Sequence, residues 1–195
     1  MRPEMTARYP QFGALQPRIL DVGIGAHPFP HGVAVDLRAV PGVHAQADAS
    51  IGLPFPDNVF DGVRASNVLE HMPASLDFLE EAWRVLRHGG ALLLATPHLS
   101  SLSATWGDPT HRRAYSINSF RYFDSTQFGN YADRFDFRVN SVRVRRRNDD
   151  GLLSRALERA ANRTHTSQQR MESYWGHLVG GFVEVECFLT AVKNP

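Results

Sequence analysis

The sequence predicts an α/β fold built on a doubly wound sheet, mostly parallel, with an antiparallel C-terminal strand and a shortened first helix. Three observations carry that prediction. Short apolar runs alternate with helix-patterned runs through the first hundred residues, as successive β-α-β units require. Ala91-Leu92-Leu93-Leu94-Ala95 is apolar without alternation, which suits a parallel strand covered on both faces. The last third instead alternates apolar and polar residues, which suits antiparallel strands with one wetter face.

Taken in order, residues 18–22 form a first strand stopped by Gly23, residues 33–36 a second and residues 60–65 another, with a weaker candidate at 44–47. A helix is expected over residues 74–88, because Leu76, Leu79, Trp83 and Leu86 fall on one stripe. Asp77, Glu80 and Glu81 near its start and Arg84, Arg87 and His88 near its end complement the helix dipole, with Gly89 as a left-handed stop. Phe135, Phe137 and Val139 alternate with polar residues, and Val142 and Val144 continue in the opposite phase, so a bulge is expected near Asn140. Val183, Val185, Cys187 and Leu189 alternate with Glu184, Glu186 and Phe188 in a last strand, expected to pair antiparallel with the previous one at the sheet edge. Between these two strands, Leu152, Leu153, Ala156, Leu157 and Ala160 make a helix stripe that Asp150 could cap. Met171, Tyr174, Trp175 and Leu178 make another, or Tyr174, Trp175 and His177 line a lid.

The 195 residues suit one domain, residues 17–195, behind an N-terminal arm at 1–16 without periodicity. No apolar stretch approaches the ~18 residues of a membrane span, and residues 1–20 lack a signal-peptide core. The single cysteine, Cys187, excludes an internal disulfide and a cysteine zinc finger, so a cytoplasmic location is expected. A net charge of +1 offers no bulk attraction to nucleic acid or membrane. Arg143, Arg145, Arg146 and Arg147 could bind an anion, but Arg143 and Arg145 could equally face Glu184 and Glu186 across paired strands.

The chemistry concentrates where the first strand ends. In Asp21-Val22-Gly23-Ile24-Gly25, two glycines allow a tight turn and close approach of a ligand, although a plain strand-to-loop turn would read the same way. A dinucleotide fingerprint wants a third glycine where Pro28 stands, and the downstream acid arrives early, at Asp36. A carboxylate ending the second strand can hold both ribose hydroxyls of an adenosine without any pyrophosphate-binding helix.

These residues extend into an ordered series. Ile19-Leu20-Asp21-Val22-Gly23-Ile24-Gly25, Val35-Asp36, Ala47-Asp48-Ala49, Leu53 to Asp61, Asn67-Val68-Leu69-Glu70-His71 and Glu81 to Gly90 resemble the successive motifs of class I S-adenosylmethionine-dependent methyltransferases, closest to the type 11 group, across about residues 18–97. The resemblance implies a Rossmann-like, seven-stranded sheet and S-adenosyl-L-methionine as cofactor. It implies that Gly23 and Gly25 lie against the amino-acid part of the cofactor, with Asp21 reaching its amino group directly or through water. Asp36 would hold the ribose beside Leu37, Asp48 and Ala49 would meet the adenine, and Asn67 would lie beside the sulfonium. One departure stands out: between Gly25 and Val33 there is hardly room for the usual first helix.

Methyl transfer from a sulfonium needs positioning more than a metal, and no metal is expected. A base is required only for a protonated acceptor, and His71, His98, Asp108 and His111 are the candidates. His71 could also be a structural hydrogen-bonding group. His98, Asp108 and His111 have metal-ligand chemistry but undiagnostic spacing. The long segment at about 97–130 is where the acceptor pocket is expected. The predicted function is methyl transfer to a small-molecule or glycan-precursor acceptor. The alternatives are a nicotinamide oxidoreductase, opposed by Pro28 and Pro30, and a non-catalytic cofactor-binding or protein-interaction relative.

Overall fold

The computed structural model describes residues 18–25, 29–30, 32–128, 131–146, 151–175 and 181–193. The strands are β1 (Ile19–Val22), β2 (Val33–Asp36), β3 (Ala45–Gln46), β4 (Phe60–Ser66), β5 (Leu86–Pro97), β6 (Asp136–Arg145) and β7 (Glu184–Val192). They form one sheet in the order β3-β2-β1-β4-β5-β7-β6. The first five are parallel, and β7 enters antiparallel between β5 and β6. The helices are α1 (Ser75–Val85), α2 (Leu102–Trp106), α3 (Gly151–Ala161) and α4 (His165–Arg170). A 3-10 turn at Ser119–Phe123 and a π turn at Met171–Trp175 complete the described elements. This is the doubly wound, mostly parallel class that the sequence predicts.

β1 is flanked by β2 on one side and β4 on the other, so the order reverses there. Open α/β sheets bind ligands in the crevice outside the carboxyl ends of strands at such a reversal. None of the described residues between Val22 and Val33 is helical. The main core lies on the sheet face of Leu20, Val22, Val63, Leu92 and Leu94, packed with Phe78, Leu79, Phe120 and Phe137. The opposite face carries a small separate cluster of Ile19 and Leu93, against which Phe29 and Ala91 pack.

Helix α1 ends three residues before the predicted His88. Leu86 is already extended (φ −71°, ψ 142°) and pairs with Phe60. The carbonyls of Arg84 and Val85 accept from Asn58 and Val59 N–H, so the approach to β4 ends the helix in place of a glycine cap. Gly89 does have positive φ (76°), but inside β5. The buried stripe is Phe78, Leu79, Ala82 and Val85, with Leu76 and Trp83 only partly covered.

The leucine stripe of α3 is also displaced, since Leu152 and Leu153 are 83% and 73% exposed while Ser154 and Ala161 are buried. Polar bonds to β6 hold this helix. Arg146 donates from N–H to Glu158 Oε2 and from Nε to Ser154 Oγ, both at 2.9 Å, and just past the helix the Asn162 side chain brackets the Val144 backbone. Asp150, Arg147, His177, Leu178, Pro28 and the arm at 1–16 lie outside the described residues. The bulge falls between Val139 and Ser141, as predicted. Arg145 pairs with Glu186 at 3.0 Å and Glu158 at 3.3 Å, so part of the basic run is matched by acids from β7 and α3.

Candidate cofactor and acceptor site

A cavity of about 800 Å³ opens at the carboxyl ends of β1, β2 and β4. Gly23 begins it. Its φ is +67°, its N–H donates to Val35 O at 2.8 Å, and a Cβ there would collide with Val68 Cγ2. Glycine is therefore demanded twice, by the dihedral and by the neighbour. Gly25 also has positive φ (49°), and a Cβ there would meet nothing within 4 Å, so the chain borders open space.

Asp36 ends β2 almost buried, with Oδ1 accepting the Arg38 N–H at 2.9 Å. Asp48 follows β3 and accepts from the Ser50 N–H and hydroxyl at 2.9 and 2.6 Å, a local turn that aims the carboxylate. Leu37 lines the cavity with a largely exposed side chain, and Ala49 forms part of the floor. Asn67 follows β4 with φ +54°, anchored by its N–H to Ala95 O at 2.8 Å. A non-glycine residue in that region is held there by its surroundings, a frequent feature of functional sites.

Asp21 is placed differently from its neighbours. It is fully buried behind the cavity wall, 2.7 Å from Arg64 Nη1, and accepts the Phe29 N–H at 2.7 Å. Burial raises its pKa, and the Arg64 charge and the Phe29 N–H oppose that rise. Arg64, which lines the cavity, was not singled out from the sequence. Its signal was available, as a cation between Val63 and Ala65 in a mostly buried strand, in register with Asp21.

The cavity continues to His71, Asp108 and Thr110. The loop after α2 folds back so that the His71 and His111 rings meet edge to face, centroids 4.6 Å apart. His71 Nδ1 lies 2.8 Å from Thr110 Oγ1, and that hydroxyl donates to Asp108 Oδ1 at 2.7 Å. His111 Nδ1 lies 2.6 Å from the Thr105 carbonyl. Burial and the nearby His111 lower the His71 pKa, whereas the bonds from Thr110 lower that of Asp108. Glu70, quoted in the sequence motif but given no role there, is fully buried next to this pair, and burial lifts its pKa to about 7.

His98 sits apart from the cavity lining. It is fully buried at the end of β5, Nδ1 bonding to Ser100 Oγ at 2.8 Å and Nε2 lying 3.2 Å from Glu172 Oε1. These contacts tie the strand end to the π turn. His111 lies just behind the wall, reaching the cavity only through His71.

Residues 20–94 match the family model described as Methyltransferase domain. A 37.1 kDa protein of a Streptomyces fradiae transposon is 35% identical over 77 residues, 40% of this chain, and the match spans only 22% of that protein's length. A SAM-dependent methyltransferase from Archaeoglobus fulgidus has a similar structure at 18% identity, TM-score 0.65, covering 96% of this chain and 91% of that one. An S-adenosylmethionine-dependent methyltransferase from Mesorhizobium loti is similar at 14% identity and TM-score 0.54, covering 89% and 90%. The cyclase SpnF is similar at 16% identity and TM-score 0.53, covering 91% and 76%. At such identities the structural likeness concerns the fold, and that fold hosts more than one chemistry. The sheet order and these likenesses together show a Rossmann-like fold of the kind found in class I S-adenosylmethionine-dependent methyltransferases, with residues 20–94 similar to a methyltransferase domain.

Proposed function

We propose that the chain binds S-adenosyl-L-methionine in this cavity and directs its methyl group onto a small-molecule or glycan-precursor acceptor by in-line displacement. The observation that carries the reading is the convergence of Gly23, Gly25, Asp36, Asp48 and Asn67, from four separate loops, on one cavity that runs on to His71 and Asp108. The residues fit the cofactor. The space beside Gly25 is open, the Asp36 and Asp48 carboxylates can accept from ribose hydroxyls and an adenine amino group, and the exposed Leu37 offers an apolar surface to a flat base. When bound, the cofactor supplies an electrophilic methyl group. The chain's own work is to hold donor and acceptor in line, and positioning of this kind accounts for much of the barrier reduction.

His71 is the group best placed to take a proton from an acceptor. Its Nδ1 is engaged with Thr110, and its lowered pKa keeps the ring neutral near pH 7. His98, walled in by Ser100 and Glu172, has a positioning role in this reading.

Calorimetry with S-adenosylmethionine, S-adenosylhomocysteine and NAD on chelator-treated protein tests the cofactor. Saturable binding of the two sulfur compounds without NAD is expected, followed by methyl transfer in an acceptor screen. Binding without transfer to any acceptor would favour the non-catalytic module, and no binding would remove the reading.

A further inference from the structure

We propose that Glu70, His71 and His111 form a binding site for one divalent transition-metal ion of the zinc type at the wall of the cavity. Each residue offers one ligand atom, and the three atoms lie within 4.8 Å of one another. The sequence pointed instead to His98, Asp108 and His111 as metal-type residues and expected no metal; the fold removes His98 and brings Glu70 and His71 to His111.

The hydrogen bonds fix which ring nitrogens are available. The Thr105 carbonyl can only accept, so His111 Nδ1 carries the proton and Nε2 keeps its lone pair. The Thr110 hydroxyl gives its proton to Asp108 and therefore accepts from His71 Nδ1, which leaves the Nε2 of His71 as a lone pair too. Both imidazoles are thus oriented through Nδ1–H to oxygen, the arrangement that holds metal-ligating histidines.

Glu70 supplies the independent observation. It is fully buried, and neither carboxylate oxygen has a hydrogen-bond partner on another described residue. The nearest titratable contact is His111 Nε2, 3.9 Å from Oε1. Two electron-rich atoms therefore face each other with no donor between them. A shared proton does not close this arrangement, because the 3.9 Å between Oε1 and Nε2 is beyond hydrogen-bond reach. A cation bonded at about 2.0–2.2 Å to each atom spans the gap with small side-chain movements. Asp108 and Glu184 add negative charge around Glu70, which favours a cation further.

Two imidazoles and one carboxylate select zinc, iron(II) or cobalt over magnesium or calcium, which want oxygen ligands. Three protein ligands leave a position for water or an acceptor oxygen, whose proton the ion would loosen; with the ion bound this would replace proton abstraction by His71, whose Nε2 is then a ligand. That last role rests on the methyltransferase reading; the ion site does not.

The test uses the full chain, stripped with chelator and titrated with Zn²⁺, Co²⁺ and Mg²⁺. One Zn²⁺ per chain is expected, with d–d bands on Co²⁺ loading and no saturable Mg²⁺ binding. Glu70→Gln and His111→Ala should each weaken Zn²⁺ binding at least about tenfold, and Thr110→Val by about tenfold through the lost orientation of His71. Thermal unfolding of each metal-free variant identifies any that fails to fold, and the near-isosteric Glu70→Gln keeps the test open if His111→Ala does. Zn²⁺ affinity in the native chain no greater than in a folded His71→Ala/His111→Ala variant would overturn the proposal. S-adenosylmethionine affinity, titrated separately on metal-free protein, distinguishes failure of the ion site from failure of the methyltransferase reading.

Discussion

Asp21 Oδ1 and Arg64 Nη1 lie 2.7 Å apart across the neighbouring strands β1 and β4, with both side chains nearly excluded from solvent. The strand register sets them opposite each other on the sheet face away from the main core. Removing one partner of a buried pair strands a charge, and the cost is typically about 3–5 kcal/mol. Arg64→Met is therefore expected to lower unfolding stability by roughly that amount. Asp21→Leu/Arg64→Met should regain most of the loss in urea titrations, since an apolar pair leaves no stranded charge. Equal destabilisation by the single and double variants would mean that the pair's charges are not what the loss reports.

The carboxylate at the end of β2 gives a direct test of cofactor placement. Asp36→Ala is expected to weaken S-adenosylmethionine binding by at least about tenfold, because hydrogen bonds to a charged group contribute roughly 1.5–3 kcal/mol. The variant should fold normally, since among the described residues the Asp36 carboxylate bonds only the nearby Arg38 N–H and faces its guanidinium. Calorimetry showing unchanged affinity would take Asp36 out of the site.

Gly23→Ala should suffer from both the positive φ and the collision with Val68. Valine is stiff at χ1 and cannot simply swing aside. The expected outcome is a stability loss of about 2 kcal/mol or more together with loss of cofactor binding. Adding Val68→Ala should relieve the steric part while leaving the dihedral cost. Full recovery in the double variant would show that backbone conformation at Gly23 contributes little.

Asp124 governs acid stability near the sheet edge. It is buried, which alone would raise its pKa. Bonds from the Thr126 hydroxyl at 2.6 Å, the Val139 N–H at 2.9 Å and Gln127 Nε2 at 2.9 Å outweigh that and set it at about 2. A folded pKa below the unfolded 3.8 means that its stabilisation is present above about pH 4 and lost as pH falls toward 2. The shift corresponds to about 2 kcal/mol. Stability profiles of the native chain and Asp124→Asn should converge across that window, and parallel profiles would exclude this aspartate.

The strand-end residues that line the cavity were legible in the sequence because their determinants are local. Gly23 and Gly25 sit in a turn whose dihedrals need glycine, and Asp36, Asp48 and Asn67 each follow directly on a strand. The bulge at Asn140 was legible for the same reason, as a slip in a period of two. The histidine-bearing end of the cavity was less so. Whether His98 faces the cavity or Glu172 depends on where the π turn packs, and Glu70 meets His111 only because the loop after α2 folds back. The end of α1 was misjudged because its final carbonyls are claimed by Asn58 and Val59, residues from a distant part of the chain. The leucines of α3 suggested an inward stripe, but Arg146 and Glu158 turn the helix the other way.

The position of β7 between β5 and β6 bears on the order in which the molecule can be completed during synthesis. β6 is made some forty residues before β7, yet every partner it has in the sheet belongs to β7. Until residues 184–192 leave the ribosome, the half-built sheet ends at β5, and β6 has no strand to lie against. The parallel half can assemble early, whereas the antiparallel edge must form in a single late step. A chaperone that shields an unpaired strand would find its target in β6, during the interval when β7 is still inside the exit tunnel.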